Sequence, residues 1–327
     1  MTDRKLFLLA ACVLMAAPLY IYCKAAQAQE FGCDASARWL RYACVYAARD
    51  SRHTSIAQCQ DASIVDGACL DAADADFEDT LQECGEVFAA RLDLCEVLGD
   101  EPHEPPFGVD FAANFVDPTE IGATIAPNPW FPLVVGNTWV YEGPEETITV
   151  VVTDKTKLID GINCRVVNDI VTDGDGFLIE DTDDWYAQDT DGNVWYCGEI
   201  AENFELFEGD DPEVVELVDI DGSWKHGRDS AKAGMLLPFE PQVGDLIRQE
   251  VLYTDAEDVI EILSVTATES AAGGACVDTC LQTLDNTPLE PGVQEHKFYA
   301  PGIGMIVEIN LEDGERVELV EFTGVGS

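Results

Sequence analysis

The sequence predicts an α+β multidomain protein: an N-terminal disulfide-stapled α-helical hairpin followed by an antiparallel all-β barrel or strongly curved sheet. Three observations carry this expectation. Six cysteines between residues 33 and 95 are spaced as a palindrome, the same segment repeats its apolar residues every three or four positions, and after Trp130 the repeat becomes two.

Residues 1–28 read as a secretory signal peptide. Arg4 and Lys5 form a basic start, an apolar run extends from Leu6 to Tyr22, and Ala26-Gln27-Ala28 supplies a small-x-small cleavage site. A competing motif, Leu9-Ala10-Ala11-Cys12, looks like a lipobox that would leave a lipidated Cys12. The apolar run before Cys12 is short and continues beyond it, which favours cleavage after Ala28. No later stretch reaches membrane length, so the mature chain is expected to lack a transmembrane segment and to be secreted or periplasmic.

Composition narrows the partners. Beyond residue 28 the chain keeps 14 basic and 63 acidic residues, a net of −49. Such a surface repels nucleic acid and anionic lipid. Disorder is excluded by a hydrophobic content of 47%, with six Trp and fourteen Phe to build a core. The acid is then either a solubility device in a salty medium or a means of binding a divalent cation, for which calcium is the expected ion.

The hairpin occupies residues 29–98. Its cysteines stand at 33, 44, 59, 69, 84 and 95, so that 33 with 95, 44 with 84 and 59 with 69 each sum to 128. Two antiparallel helices turning near residue 64 place those pairs at matching heights, predicting the nested bridges Cys33–Cys95, Cys44–Cys84 and Cys59–Cys69. A local Cys33–Cys44 bridge is excluded in a helix, where eleven residues rise about 16 Å against the roughly 4.4–6.8 Å a disulfide tolerates. Phe77, Leu81, Cys84, Phe88, Leu92 and Cys95 form the stripe of the second helix, and Cys33, Ala37, Leu40, Cys44 and Ala47 that of the first. A break is expected in the first helix near Asp50–Thr54. The spacing matches no zinc motif.

Residues 99–129 form a connector punctuated by Pro102, Pro105, Pro106, Pro118, Pro127 and Pro129. Phe107, Phe111 and Phe115 are too many aromatics for a free linker, so it is expected to lie along one domain. The β domain spans 130–327. Strands are expected at 137–141, 147–153, 163–170, 177–184, 194–198, 245–253, 259–268, 277–284, 295–299, 305–311 and 316–322, many separated by turn pairs such as Asp160-Gly161 and Asp313-Gly314. Residues 226–244 read as a loop or short helix crossing between halves.

The segments Asn128-Pro129-Trp130-Phe131-Pro132-Leu133 and Gly136-Asn137-Thr138-Trp139-Val140-Tyr141 resemble the opening of a group of secreted bacterial proteins with no assigned activity. Asp184-Trp185-Tyr186-Ala187-Gln188-Asp189, Gly192-Asn193-Val194-Trp195-Tyr196 and the run from Glu295 to Gly304 extend the likeness over about residues 128–323. The resemblance implies an exported β-rich module and no particular chemistry. Cys197 stands where that group is expected to carry an aromatic, so the resemblance implies nothing about its bonding.

Four cysteines remain beyond the hairpin. An extended 276–280 segment would hold Cys276 and Cys280 too far apart to join, which points to Cys164–Cys280 and Cys197–Cys276. Asp173 with Asp175, and Asp189 with Asp191 and Asn193, form acidic turns that could take calcium, although neither fits an EF-hand and both are ordinary turn chemistry. Trp185, Tyr186, Trp195, Tyr196 and Trp224 could form an aromatic platform, with one member of each adjacent pair expected in the core. His296 and His226 are the candidates for acid–base chemistry. No H-E-x-x-H, G-x-S-x-G or phosphate loop accompanies them, and Ser230-Ala231-Lys232 lacks the S-x-x-K spacing.

These features favour a non-enzymatic exported binding module, holding a small or apolar ligand in the β domain, with His296 among the candidate ligand-binding residues, or a weakly bound divalent cation. The alternatives are a structural or protein-interaction component of the periplasm or cell surface, and an extracellular hydrolase.

Overall fold

The protein's computed structural model describes residues 32–61, 67–99, 103, 105, 109–207 and 209–324. The expected signal peptide, Cys12 and the hairpin turn near residue 64 lie outside them. Two long helices come first, α1 (Cys33–Asp61) and α2 (Gly67–Leu98). Their facing surfaces are small: Ala35, Ala37, Ala48 and Cys59 are buried from α1, and Ala73, Cys84 and Cys95 from α2. Alanine and cysteine let the helices approach closely. Three bridges fasten them, Cys33–Cys95, Cys44–Cys84 and Cys59–Cys69, with Cα separations of 5.5, 5.8 and 5.8 Å.

The expected break near Asp50–Thr54 is absent, and α1 runs through it. Arg52 explains the continuity. Its Nε donates to Asp74 Oδ1 at 2.7 Å, and its guanidinium lies 5.4 Å from the Phe77 ring centre, tying that turn to α2.

The connector does not run free. The short helix α3 (Val109–Ala112) sets Phe111 edge-on to Phe115 and Trp195, and Phe115 bridges to Asp189. Phe111 is buried in a cluster with Ile159, Ile162, Cys164, Val166, Trp185, Ala187 and Cys197.

The described residues of the β domain contain fifteen strands. The first eight are β1 (Thr138–Glu142), β2 (Glu146–Ile159), β3 (Ile162–Asp173), β4 (Leu178–Gln188), β5 (Val194–Leu206), β6 (Val215–Asp219), β7 (Trp224–Lys225) and β8 (Lys232–Leu237). The rest are β9 (Leu246–Arg248), β10 (Glu250–Val251), β11 (Val259–Ala271), β12 (Gly274–Asn286), β13 (Gln294–Ala300), β14 (Gly304–Asn310) and β15 (Arg316–Thr323). All pair antiparallel. The sheet runs β10-β8-β5-β4-β3-β2-β1-β15-β14-β13-β12-β11-β9, with β6 and β7 also on β5. Its end strands β9 and β10 are separated in sequence only by Gln249, so the sheet is nearly closed into a barrel.

That seam accounts for two departures from the sequence reading. The single strand expected at 245–253 is two, because the chain passes from one edge of the sheet to the other there. Residues 226–244, expected as a loop or short helix, contain β8, which joins β5 to β10. Gly234 permits the crossing. A Cβ there would lie 2.2 Å from the Arg248 carbonyl oxygen and 2.4 Å from Gln249 backbone atoms. The run Lys232–Leu237 has no clean alternation to announce a strand.

The remaining cysteines correct the expected pairing. Cys276 is bridged to Cys280, with Cα atoms 5.3 Å apart, while Cys164 and Cys197 are buried free thiols. The assumption of an extended strand fails locally. Cys280 pairs with Ala267 and Cys276 with Glu269, so three residues bulge opposite Thr268, and Asp278 turns to a φ of 55°. The bulge brings side chains four residues apart together.

Helical hairpin and β domain meet through a buried ion pair. Arg91 Nε donates to Glu257 Oε2 at 2.9 Å, and Arg91 Nη2 contacts Oε1. Glu257 Oε1 also accepts from the Thr254 backbone N–H at 2.9 Å.

Candidate functional site

Strand alternation puts acids where a core is expected. On β4, Glu180, Thr182 and Asp184 share a face with Tyr186, which stacks on Tyr196 of β5 with ring centres 4.6 Å apart. Asp184 pairs in register with Glu199. The positive φ of Gly198 (129°) is needed here, since a Cβ would meet the Trp224 carbonyl oxygen at 2.4 Å. The glycine lets β7 cross directly beside Glu199.

A cavity of about 350 Å³ opens beside these groups, lined by Glu199, Glu250, Asp258, Asp285, Glu295 and Lys297 among others. Its wall has two unlike halves. In one, Lys297 is the cation: its Nζ lies 3.4 Å from Asp285, 3.4 Å from Glu295 and 3.2 Å from Glu308. Burial alone would depress the Lys297 pKa, but the Asp285 and Glu308 charges raise it well above the ordinary lysine value. Thr283 Oγ1 also donates to Asp285.

In the other half Glu199, Glu250 and Asp258, with Asp184 paired to Glu199 just behind the wall, form no ion pair with any described Lys, Arg or His. Glu250 is 7% exposed, and its Oε2 is buried with no hydrogen-bond partner. Burial, reinforced by the Asp258 and Glu199 charges, pushes Glu250 well above the carboxylate range. Burial raises Glu199 to about 7, and burial together with the Glu199 charge raises Asp184 well above the ordinary carboxylate value. Tyr196 Oη bonds to both Asp184 Oδ1 and Glu199 Oε2. One hydroxyl proton serves only one of those bonds, so a second proton on one of the two carboxyls completes the trio. Further in, burial and the Glu180 charge raise Asp169 to about 7, and its Oδ1 also lacks a partner. The arrangement is a reservoir of carboxyls that lose protons near neutrality.

The residues singled out from the sequence lie elsewhere or serve the core. Tyr186, Tyr196 and Trp224 are buried in the main cluster, and Trp185 in the cluster behind it, so both members of the first adjacent pair are internal and form no exposed platform. Trp195 is partly buried and donates its Nε1–H to Asp189 Oδ2 at 2.9 Å. Asp189 Oδ1 takes the Asp191 and Asn193 backbone N–H groups, and Oδ2 also takes Asn193 Nδ2. Four donors fill this carboxylate's lone pairs. Asp173 likewise caps its own turn through the Asp175 and Phe177 N–H groups. Among the described residues no three His, Cys, Asp or Glu side chains are grouped as metal ligands.

His226 Nδ1 accepts from the Ala233 N–H at 3.0 Å, its Nε2 faces Asp160 at 3.5 Å, and burial lowers its pKa. His296 packs edge-on to Phe298. Neither lines the cavity.

The acidic cavity escaped the sequence reading because 63 acids make any pair of carboxylates unremarkable. A finer signal was present: Asp184 and Lys297 each stand two residues from a core tyrosine in the same strand, and so face inward. No family model, curated protein or solved structure matches the chain.

Proposed function

We propose that the β domain is a non-enzymatic binding module for a small organic cation, an ammonium or guanidinium compound, held in the acidic cavity. The buried Glu250 carboxyl carries this reading: its Oε2 has no hydrogen-bond partner, and its near neighbours are Asp258, Glu199 and Trp224 rather than a cation. It stands with Glu199 and Asp258 in a half of the cavity that has no cation among the described residues, while Lys297 supplies the cation of the other half. The side chain of Lys297 is a model for the ligand, an ammonium held by three carboxylates inside a sheet. The volume falls at the low end of the roughly 300–1,000 Å³ of small-molecule sites. An apolar ligand, the earlier expectation, suits this charged wall poorly. A hard divalent ion would require some six to eight oxygens around one point. Four disulfides fit an oxidising compartment outside the cytosol.

The test is calorimetric titration with putrescine and methylguanidine, and with 1,4-butanediol as the neutral control. Binding of the cations alone is expected, weakened at least 10-fold in Glu250→Gln, since a charge-assisted hydrogen bond contributes about 1.5–3 kcal/mol. Equal heats from the diol, or no effect of Glu250→Gln, would overturn the assignment.

A second reading, self-association through the hairpin, rests on α1. Arg38, Trp39, Tyr42, Tyr46, Arg49 and His53 fall within a stripe roughly 100° wide at 3.6 residues per turn. Trp39 is 73% and Tyr46 66% exposed. A basic aromatic stripe on so acidic a chain is complementary to the β domain of a second copy. Sedimentation velocity should then detect dimers that 0.5 M salt or the pair Trp39→Ser, Tyr46→Ser disperses; a monomer at high protein concentration would refute it.

A further inference from the structure

We infer that a second groove, behind Glu199, binds an anion with an apolar body. It is distinct from the acidic cavity, encloses about 300 Å³, and is lined by Lys157, Lys225, Arg228, Ile200, Ile220 and Leu252 among others. The chain has 64 acidic and 17 basic residues, so a cationic side chain placed without constraint would have carboxylates for neighbours. Lys157 and Lys225 instead act on each other, the repulsion from Lys225 outweighing the pull of Asp183 on Lys157. Neither forms an ion pair among the described residues, and the Lys225 charge, after burial, depresses the Lys157 pKa.

Lys157 is held in place by a ring rather than by an acid: its Nζ lies 3.4 Å from the centre of Trp185, which is itself buried. A cation–π contact fixes the ammonium without neutralising it. Among the described residues Arg228 pairs only with its exposed neighbour Asp229, at 3.1 Å, a solvated contact that leaves its charge available to the groove. The protein thus sustains the repulsion of two lysines at the lip of a groove, and an anionic head group between them would remove it. The apolar side is supplied by Ile200, Ile220 and Leu252, of which Ile220 is 51% exposed. Charge at one end and aliphatic surface at the other select an amphipathic monoanion, with a carboxylate or phosphate monoester as head and a short hydrocarbon body.

The two charged sites differ in sign and share only Glu199, so they separate by mutation. Titration calorimetry would compare octanoate, octyl phosphate, inorganic phosphate and 1-octanol on the intact chain. Octanoate or octyl phosphate should bind, whichever is tighter naming the head group. Lys225→Met should weaken that binding 10-fold or more, Lys157→Met likewise, and Glu250→Gln should leave it unchanged. Lys225 is the safer probe, because Lys157→Met also disturbs Trp185 packing. Octanol binding as tightly as octanoate would overturn the role of the lysines. Inorganic phosphate binding as tightly would overturn the role of the isoleucines, and indifference to Lys225→Met would overturn the site.

Discussion

Asp169 is half-buried with an enclosed Oδ1, Glu257 is fully buried, and the difference between them is whether a partner is present. Burial raises Asp169 from 3.8 to about 7, so its folded-state pKa lies above the unfolded value. Its contribution to stability is therefore full below about pH 4 and is lost as pH rises through about 7. At ~1.4 kcal/mol per pH unit the loss amounts to roughly 4 kcal/mol. Surface carboxylates are ionised well below that range, so a fall in Tm between pH 6 and 8 reports the buried ones. Asp169→Asn is expected to flatten that fall by several degrees and to raise Tm at pH 8; an unchanged slope would mean that Asp169 is ionised throughout. Glu257 is 1% exposed and paired to Arg91. Removing one partner of such a pair costs about 3–5 kcal/mol, because the other charge is stranded. Glu257→Ala should lose that much in urea titration, whereas the pair Arg91→Met, Glu257→Leu should recover most of it.

Among the elements, the hairpin was the most legible. Its cysteine spacing contains the geometry, since pairs at equal height on antiparallel helices must have constant sums. It was legible for the same reason that it depends on its bridges: the helix interface is alanine and cysteine, and buries little else. Cross-linking over the 62-residue separation of Cys33 and Cys95 is worth about 4 kcal/mol in chain-entropy terms. Mild reduction should therefore lower helical circular dichroism before the β-sheet signal moves. Simultaneous loss of both would mean that the hairpin is held by burial. The strands were legible where they alternate and hidden where they do not. β8 lacks alternation, since its role is to cross the seam at Gly234, and the bulge in β12 that joins Cys276 to Cys280 has no marker beyond Asp278. Local periodicity reports which face is buried, and neither a seam nor a bulge is a statement about faces.

For the whole molecule, the excess of acid acquires an internal counterpart. Solubility explains carboxylates on the surface, but Asp184 and Glu250 are buried and Glu199 and Asp169 half-buried, where every unneutralised charge is costly. Their placement was illegible in composition because abundant acid conceals the few that matter. A ligand cation would reverse the burial penalty, drawing these pKa values down and releasing protons as it binds.

That release is the most direct test of cation binding. Putrescine would be titrated calorimetrically at pH 6 in two buffers of different ionisation enthalpy, and again at pH 8. With Glu199 and Asp169 titrating near 7, binding should expel protons at pH 6 and tighten towards pH 8. Heats identical in both buffers, with an affinity independent of pH, would contradict a cation seated among these carboxylates.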